Sequence, residues 1–299
     1  MTERVSISLL LVLLTFSSIQ LFASPQVPDY MIFRGDTIAT YNLILEQYLQ
    51  GREQTPSEKL FSLSFRNDSN GEFSFNCWRG YQAIYKIDND SLFLVDIISC
   101  GERRSSKIDK AASVEKIKAL FGDKVFNERI YITWFSGDIS FALTNKVLRW
   151  DGVFYTIFEK ERVVNIFDGK VIKVEDVENY DDAPKRINRK DKNKVSNILF
   201  KKLKKVKWKN KEEYDCSSKY LVTIDEGGNV SKVRMLYSEE EINRFYERDE
   251  YNYCIDKIFN AIRTLKFDII KDNGKPVAED IYIEIWVKDN GKIENWTRQ

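Results

Sequence analysis

The chain has 299 residues, enough for two ordinary domains, and its 43% apolar and 31% charged residues are typical of a folded protein. Its net charge of +1 favours no polyanionic partner such as nucleic acid. The chain contains no histidine, which excludes serine–histidine and cysteine–histidine catalysis and the zinc sites that need imidazole. We therefore expect no enzymatic activity, no cofactor, no metal site and no nucleic-acid partner.

The first 23 residues form an apolar segment after a short charged start. Its most apolar stretch, Leu9–Leu14, is followed by hydroxyl and amide side chains, which makes the segment polar for a permanent membrane span. Ala23 supplies a small residue at a suitable cleavage point. We predict a signal peptide over residues 1–23, cleaved after Ala23, and hence a periplasmic or secreted protein. An uncleaved membrane anchor is the alternative.

Short apolar or alternating runs between turn residues predict a β-rich module over residues 24–177. Apolar residues recur at helical spacing at Tyr41–Leu49 and Ala112–Leu120, which predicts two short helices. The clearest hairpin extends from Phe73 to Ile98 and turns at Asp88-Asn89.

The four cysteines fall into two pairs, and we predict that both pairs are bridged in an exported protein. A turn at Asp88-Asn89 places Cys77 directly opposite Cys100, at a distance that a disulfide tolerates. Cys216 precedes the first strand of a later hairpin and Cys254 begins the helix after it, so the two should lie on the same side of that hairpin. Free buried thiols are the alternative.

Three segments of the β-rich module resemble a module of uncharacterised exported proteins from Gram-negative bacteria. They are Trp78-Arg79-Gly80-Tyr81-Gln82-Ala83, Leu92-Phe93-Leu94-Val95-Asp96-Ile97 and Trp134-Phe135-Ser136-Gly137. The resemblance covers about half of the chain and implies export but no particular activity.

Charge is unevenly distributed along the chain. Residues 178–194 are polar and predict a charged linker. Residues 185–211 hold thirteen Lys or Arg and a single acid, a local net charge of +12, so the remaining residues carry −11. From Val195 onward, apolar residues at helical spacing predict an amphipathic helix whose basic residues are Lys201, Lys202, Lys204 and Lys205. Such a helix covers a sheet with its lysines in water, lies on an anionic membrane surface, or binds an acidic partner.

The last third of the chain, residues 195–299, predicts a small antiparallel sheet covered by helices. Tyr220–Asp225 and Val230–Leu236 flank a turn, a helix follows over Tyr253–Leu265, and Ile281–Val287 is a closing strand. Together with the β-rich module, this order of helix, hairpin, helix and strand predicts an α+β protein.

These elements resemble the C-terminal domain of TonB-type energy transducers, over about residues 194–299. The residues that carry the resemblance are Val222, Ile224, Asp225, Gly228 and Val230 in the hairpin, Ala261-Ile262-Arg263 and Leu265-Lys266-Phe267 in and after the helix, and Gly274-Lys275-Pro276-Val277. In that family the domain lies in the periplasm and accepts a peptide of an outer-membrane transporter as an added strand. The resemblance implies a partner-binding edge strand made of Ile281, Tyr282, Ile283, Glu284, Ile285, Trp286 and Val287.

Transducers of this type have a long proline-rich spacer, and here a folded module stands in its place. We therefore expect a non-enzymatic cell-envelope protein that binds a protein or peptide by strand addition through a TonB C-terminal-like domain, with an anionic membrane surface as a possible second partner. The alternatives are a divergent transducer for outer-membrane transport and a carboxylate-dependent enzyme that acts on cell-wall glycan.

Overall fold

The computed structural model describes residues 26–51, 76–77, 79–100, 102, 108–209 and 211–297. The predicted signal peptide and the start of the predicted hairpin at Phe73 lie outside these ranges. So does Phe61–Phe65, one of the alternating runs that predict strands in the β-rich module. The fold is α+β and rich in strands, as predicted. Its two compact units comprise residues 1–86, 94–130 and 150–155, and residues 87–93, 131–149 and 156–299. The domain boundaries placed at residues 177 and 194 stay predictions.

In the first unit, strand β1 (Asp29–Phe33) pairs antiparallel with β2 (Asp36–Thr40) and parallel with β3 (Tyr81–Asp88). Helix α1 (Ile44–Gln50) and helix α2 (Lys110–Phe121) occupy the two segments that the apolar spacing predicts. The side chain of Asp109 caps α2 by accepting a hydrogen bond from the Ala112 N–H.

The hairpin of β3 and β4 (Ser91–Ser99) turns one residue later than predicted. Asn89 and Asp90, not Asp88 and Asn89, are the turn residues, and both have a positive φ, of 47° and 54°. This left-handed pair is the conformation of a type I′ turn, which Asn and Asp tolerate. A turn displaced by one residue moves every cross-strand pair by two positions, so each side chain keeps its predicted face.

The predicted Cys77–Cys100 disulfide is confirmed, with a Cα–Cα distance of 6.3 Å. The reason given for it is wrong, because β3 begins only at Tyr81 and Cys77 lies before the strand. A turn brings the cysteine into place: the Gly80 N–H donates to the Cys77 carbonyl at 3.1 Å, and Gly80 has a φ of 75°. The two cysteines therefore meet across a turn rather than as opposed residues of two strands.

The second unit contains most of the remaining strands. They are β5 (Ile130–Tyr131, at the boundary of the two units), β6 (Gly137–Ala142), β7 (Val147–Trp150), β8 (Thr156–Phe158), β9 (Lys160–Phe167), β10 (Lys170–Glu178) and β11 (Tyr180–Asp181). β9 lies between β6 and β10 in antiparallel register, and β7 pairs with β8. A turn at Asp168-Gly169 joins β9 to β10, and a Cβ at Gly169 would lie 1.7 Å from the Ile132 carbonyl oxygen.

The C-terminal part of the second unit is an antiparallel sheet covered by helices. Its helices are α3 (Lys192–Leu203), α4 (Glu239–Phe245) and α5 (Arg248–Ile262). Its strands are β12 (Ser218–Ile224), β13 (Val230–Met235), β14 (Ile269–Asp272), β15 (Lys275–Pro276), β16 (Glu279–Val287) and β17 (Ile293–Asn295). The main sheet has the order β13-β12-β16-β17, with α3 packed against β16 and α5 against β13. Within the described ranges, every helix is too short or too polar to cross a bilayer.

The predicted Cys216–Cys254 disulfide is also confirmed, with a Cα–Cα distance of 5.5 Å. Both cysteines belong to the apolar core between the sheet and its helices. The bridge therefore holds the start of β12 to α5.

Removing this bridge should destabilise the protein. The bridge closes a loop with a sequence separation of 38 residues, so in the chain-entropy model its loss in a C216A/C254A variant costs about 4 kcal/mol. Urea unfolding followed by tryptophan fluorescence measures the loss. The control is the parent protein measured after its disulfides have been reduced. Equal unfolding midpoints for the C216A/C254A variant and the oxidised parent would contradict the expectation.

Candidate binding surfaces of the C-terminal sheet

The predicted partner-binding strand lies inside the sheet rather than at its edge. Residues 281–287 belong to β16, which pairs with β12 on one side and, from Ile285 to Val287, with β17 on the other. For Ile285–Val287 the prediction of an unpaired edge is wrong, because the chain turns back after β16 and adds β17 outside these residues. The chain after β17 extends this pairing by one hydrogen bond, in which the Trp296 N–H donates to the Glu284 carbonyl at 2.9 Å.

The two faces of β16 differ in burial because successive side chains of a strand point to opposite faces. Ile281, Ile283, Ile285 and Val287 are buried in the core that α3 and α5 cover. Tyr282 and Glu284 are half-buried, and Trp286 is exposed, on the other face. The predicted strand is thus divided between the core and an outer surface.

A stacked tryptophan pair stands out on this outer face. The rings of Trp286 and Trp296 are 5.0 Å apart between centroids, with an interplanar angle of 16°. Their exposed fractions are 37% and 50%, high for large apolar side chains. The Lys211 ammonium lies 3.9 Å from the centroid of the Trp286 ring, a cation–π contact. We call the side chains of Trp286 and Trp296 the tryptophan platform.

The polar groups along the outer face of the sheet bind one another. The Tyr282 hydroxyl donates to Glu284 at 2.5 Å. Asp280 accepts from Thr223 at 2.6 Å and from Arg234 at 2.8 Å. The outer face therefore offers aromatic surface bordered by charges of both signs, the composition of a protein-binding surface with a polar rim.

The predicted basic helix is α3, and its apolar residues cover the sheet. Val195, Leu199 and Leu203 are fully buried, and Asp191 caps the helix by accepting from the Asn193 and Lys194 N–H groups. The four predicted basic residues all lie in solvent at the C-terminal end of α3 and just beyond it: Lys201, Lys202, Lys204 and Lys205. Of the three roles considered for this helix, covering the sheet is the one that the structure shows for the apolar face of α3.

A buried cluster of charges gathers around Glu279, the first residue of β16. Its carboxylate accepts from Arg149, whose Nη2 is 2.6 Å away, and from Arg189, whose Nη2 is 3.2 Å away. Lys192 at the start of α3 adds an ion pair at 2.9 Å. Burial raises the pKa of Glu279, but Arg149 and Lys192 outweigh it and hold this pKa down to about 2.

The polar composition around Arg189 predicts a linker, so no buried cluster is expected there from the sequence. Arg189 is fully buried, and Asn179 and Tyr180 of the same predicted linker are also buried. Asn179 donates to Glu161 at 2.6 Å, and the Tyr180 hydroxyl donates to Asp268 at 2.5 Å. Burial and this hydrogen bond raise the pKa of Tyr180. Tyr180, an aromatic residue in a polar run, was the available signal that the segment packs against a core.

The first unit holds a second buried polar cluster that the sequence did not predict. Arg79 and Asp29, both buried, form an ion pair at 2.7 Å, and Asp29 also accepts from the Ala83 N–H at 2.8 Å. The Tyr81 hydroxyl donates to Glu46, whose pKa is raised by burial. The polar groups bind one another inside the core, so the cluster serves the fold.

Comparison of the chain with known proteins finds no matching family model, no matching curated protein and no matching solved structure.

Replacing Glu279 with Gln should destabilise the protein by about 3 kcal/mol, since it leaves two buried guanidinium groups without their carboxylate. The lowered pKa also predicts a pH dependence: the carboxylate stabilises the fold above its ordinary pKa of 4.5, and this contribution is lost as the pH falls towards about 2. The difference between parent and E279Q should therefore shrink over that interval. Urea unfolding between these pH values measures it.

The matched control is E178Q, because Glu178 has one exposed lysine partner, Lys160. Little change is expected there, since exposed ion pairs contribute little. An E279Q variant as stable as E178Q at neutral pH would show that the cluster does not hold the fold.

Proposed function

We propose that this protein is exported to the periplasm or the cell exterior and binds a protein or peptide partner without catalysing a reaction. Both disulfides support export, because structural disulfides form and persist mainly in oxidising compartments. The apolar segment of residues 1–23, with its cleavage point at Ala23, supports the same location.

The tryptophan platform is the single observation that carries the binding function. Burying Trp286 and Trp296 inside a monomer would remove much apolar surface from water, yet both stay exposed on the outer face of the sheet. Tryptophan is among the residues that contribute most to binding energy at protein interfaces. Because the rings of Trp286 and Trp296 are stacked on each other, their side chains have little conformational freedom to lose when a partner binds.

The platform also indicates the kind of segment that fits. An apolar or aromatic side chain of the partner would pack on the exposed surface of Trp296. Lys219 and Glu284, opposed on β12 and β16, would meet charged or polar groups beside it. The resemblance to TonB C-terminal domains supports a peptide partner, and we place the contact on the sheet face because β17 already pairs with Ile285–Val287, the part of β16 that carries Trp286.

Selection from a displayed peptide library on the immobilised protein tests this proposal. We expect enriched peptides with an apolar or aromatic residue, and at least about tenfold weaker binding of those peptides to a W286A/W296A variant. The matched control is W150A, because Trp150 is 53% exposed and ends β7, which belongs to a different sheet from the platform.

Enriched peptides that bind the W286A/W296A variant as tightly as the parent would remove the platform from the proposal. A library that yields no specific binder would contradict peptide binding itself. Fluorescence-detected urea unfolding confirms that each variant is folded.

A further inference from the structure

The end of α3 carries an array of unpaired lysines. Residues 195–207 contain five lysines and no acid, and all five are exposed: Lys201, Lys202, Lys204, Lys205 and Lys207. Within the described part of the chain, none of the five ammonium groups forms an ion pair. Other lysines of the basic stretch are engaged, such as Lys190 with Glu159 at 2.6 Å and Lys192 with Glu279 at 2.9 Å. We call the five the lysine array.

The array is formed by the end of α3 and the residues just after it. Leu199 and Leu203 fix the buried side of α3, and Lys201 and Lys202 lie in its last turn. The other three lysines of the array follow the helix, and all five side chains are exposed. The exposed face of a helix offers no backbone edge for strand addition. The five ammonium groups belong to seven consecutive residues, so a laterally extended negative surface suits them better than a single acidic side chain does.

The use of lysine rather than arginine in the array also indicates the chemical nature of the partner. Arginine suits fork-like recognition of single carboxylates or phosphates, whereas lysine is a hydrated, mobile point charge. A run of lysines without arginine is suited to a diffuse negative potential such as that of anionic lipid headgroups. The apolar face of α3 is buried in the core, so the contact would be electrostatic and would not insert apolar side chains into the bilayer.

We propose that the lysine array docks the protein on the surface of a membrane that contains anionic phospholipid. Each basic residue near such a surface adds about fivefold to the partition coefficient, so the five together provide reversible, salt-sensitive attachment. A purely structural role is the competing explanation, since Lys201 and Lys202 also stabilise the C-terminal end of the helix dipole. That role predicts an effect on unfolding but none on lipid binding.

Co-sedimentation of the purified full chain with vesicles tests the proposal. Vesicles of phosphatidylglycerol mixed with phosphatidylcholine are compared with vesicles of phosphatidylcholine alone. The difference isolates charge-dependent binding from any binding through apolar residues 5–23. A K202Q/K205Q variant should bind the anionic vesicles about 25-fold more weakly than the parent. Raising the salt from about 0.05 M to about 0.5 M should release the parent.

The matched control is K118Q/K124Q, which removes the same charge from exposed lysines of the first unit and should bind as the parent does. Equal binding of the parent to the two kinds of vesicle would overturn the proposal, as would equal binding of the two double variants. Binding to soluble polyglutamate that K202Q/K205Q loses, without binding to anionic vesicles, would overturn it in favour of an acidic protein partner.

Discussion

Two guanidinium groups and one ammonium group share the carboxylate of Glu279, and they come from three separate parts of the chain. Arg149 belongs to β7, Arg189 to the segment before α3, and Lys192 to the first turn of α3. Arg149 also donates to the Arg189 carbonyl at 2.8 Å, so the cluster fixes backbone as well as side chains. The desolvation of buried Arg189 is offset mainly by this carboxylate, which makes the cluster all-or-none: without Glu279 the cations would repel one another inside the protein.

Because Glu279 begins β16 and Lys192 begins α3, the cluster sets where the helix starts along the strand. Further along, Ser196 of α3 donates to the Tyr282 carbonyl of β16 at 2.9 Å. The helix and the strand therefore run in the same direction from the cluster. Leu199 and Leu203 then meet the isoleucines on the core face of β16. Alternation along the strand leaves Trp286 on the opposite face. The buried ion cluster at one end of the strand therefore positions both proposed binding surfaces at the other end.

Local periodicity predicted α1, α2, α3 and α5 and the hairpin of β12 and β13, because those features depend on residues close in sequence or on faces of one element. The Cys77–Cys100 pairing was predicted, but from a strand register that the structure does not have. β17 was missed because three residues are too short to show a period of two. The segment with Arg189 was predicted as a linker because its composition is polar. Its burial depends on Glu279, ninety positions away, and on a tyrosine–aspartate contact with Asp268, and no local pattern records such pairings. At Asp88-Asn89-Asp90, three adjacent residues suit a turn, so composition alone could not select the pair with positive φ.

The lysine array and the tryptophan platform lie on opposite faces of the sheet but at the same end of it. After the array, Trp208 packs near the turn that joins β16 to β17, where a Cβ on Gly291 would lie 3.0 Å from the Trp208 carbonyl. Lys211 then reaches the outer face and covers the Trp286 ring. Lys201 to Lys207 and Lys211 thus place positive charge on both faces at this end of the sheet. A membrane that attracts the array would border the platform through this same segment, so a partner held on the tryptophans would be held close to the lipid surface. Under these two proposals, weak attachment through the lysines and specific contact through the tryptophans would reinforce each other, since the first would confine the search for the second to two dimensions.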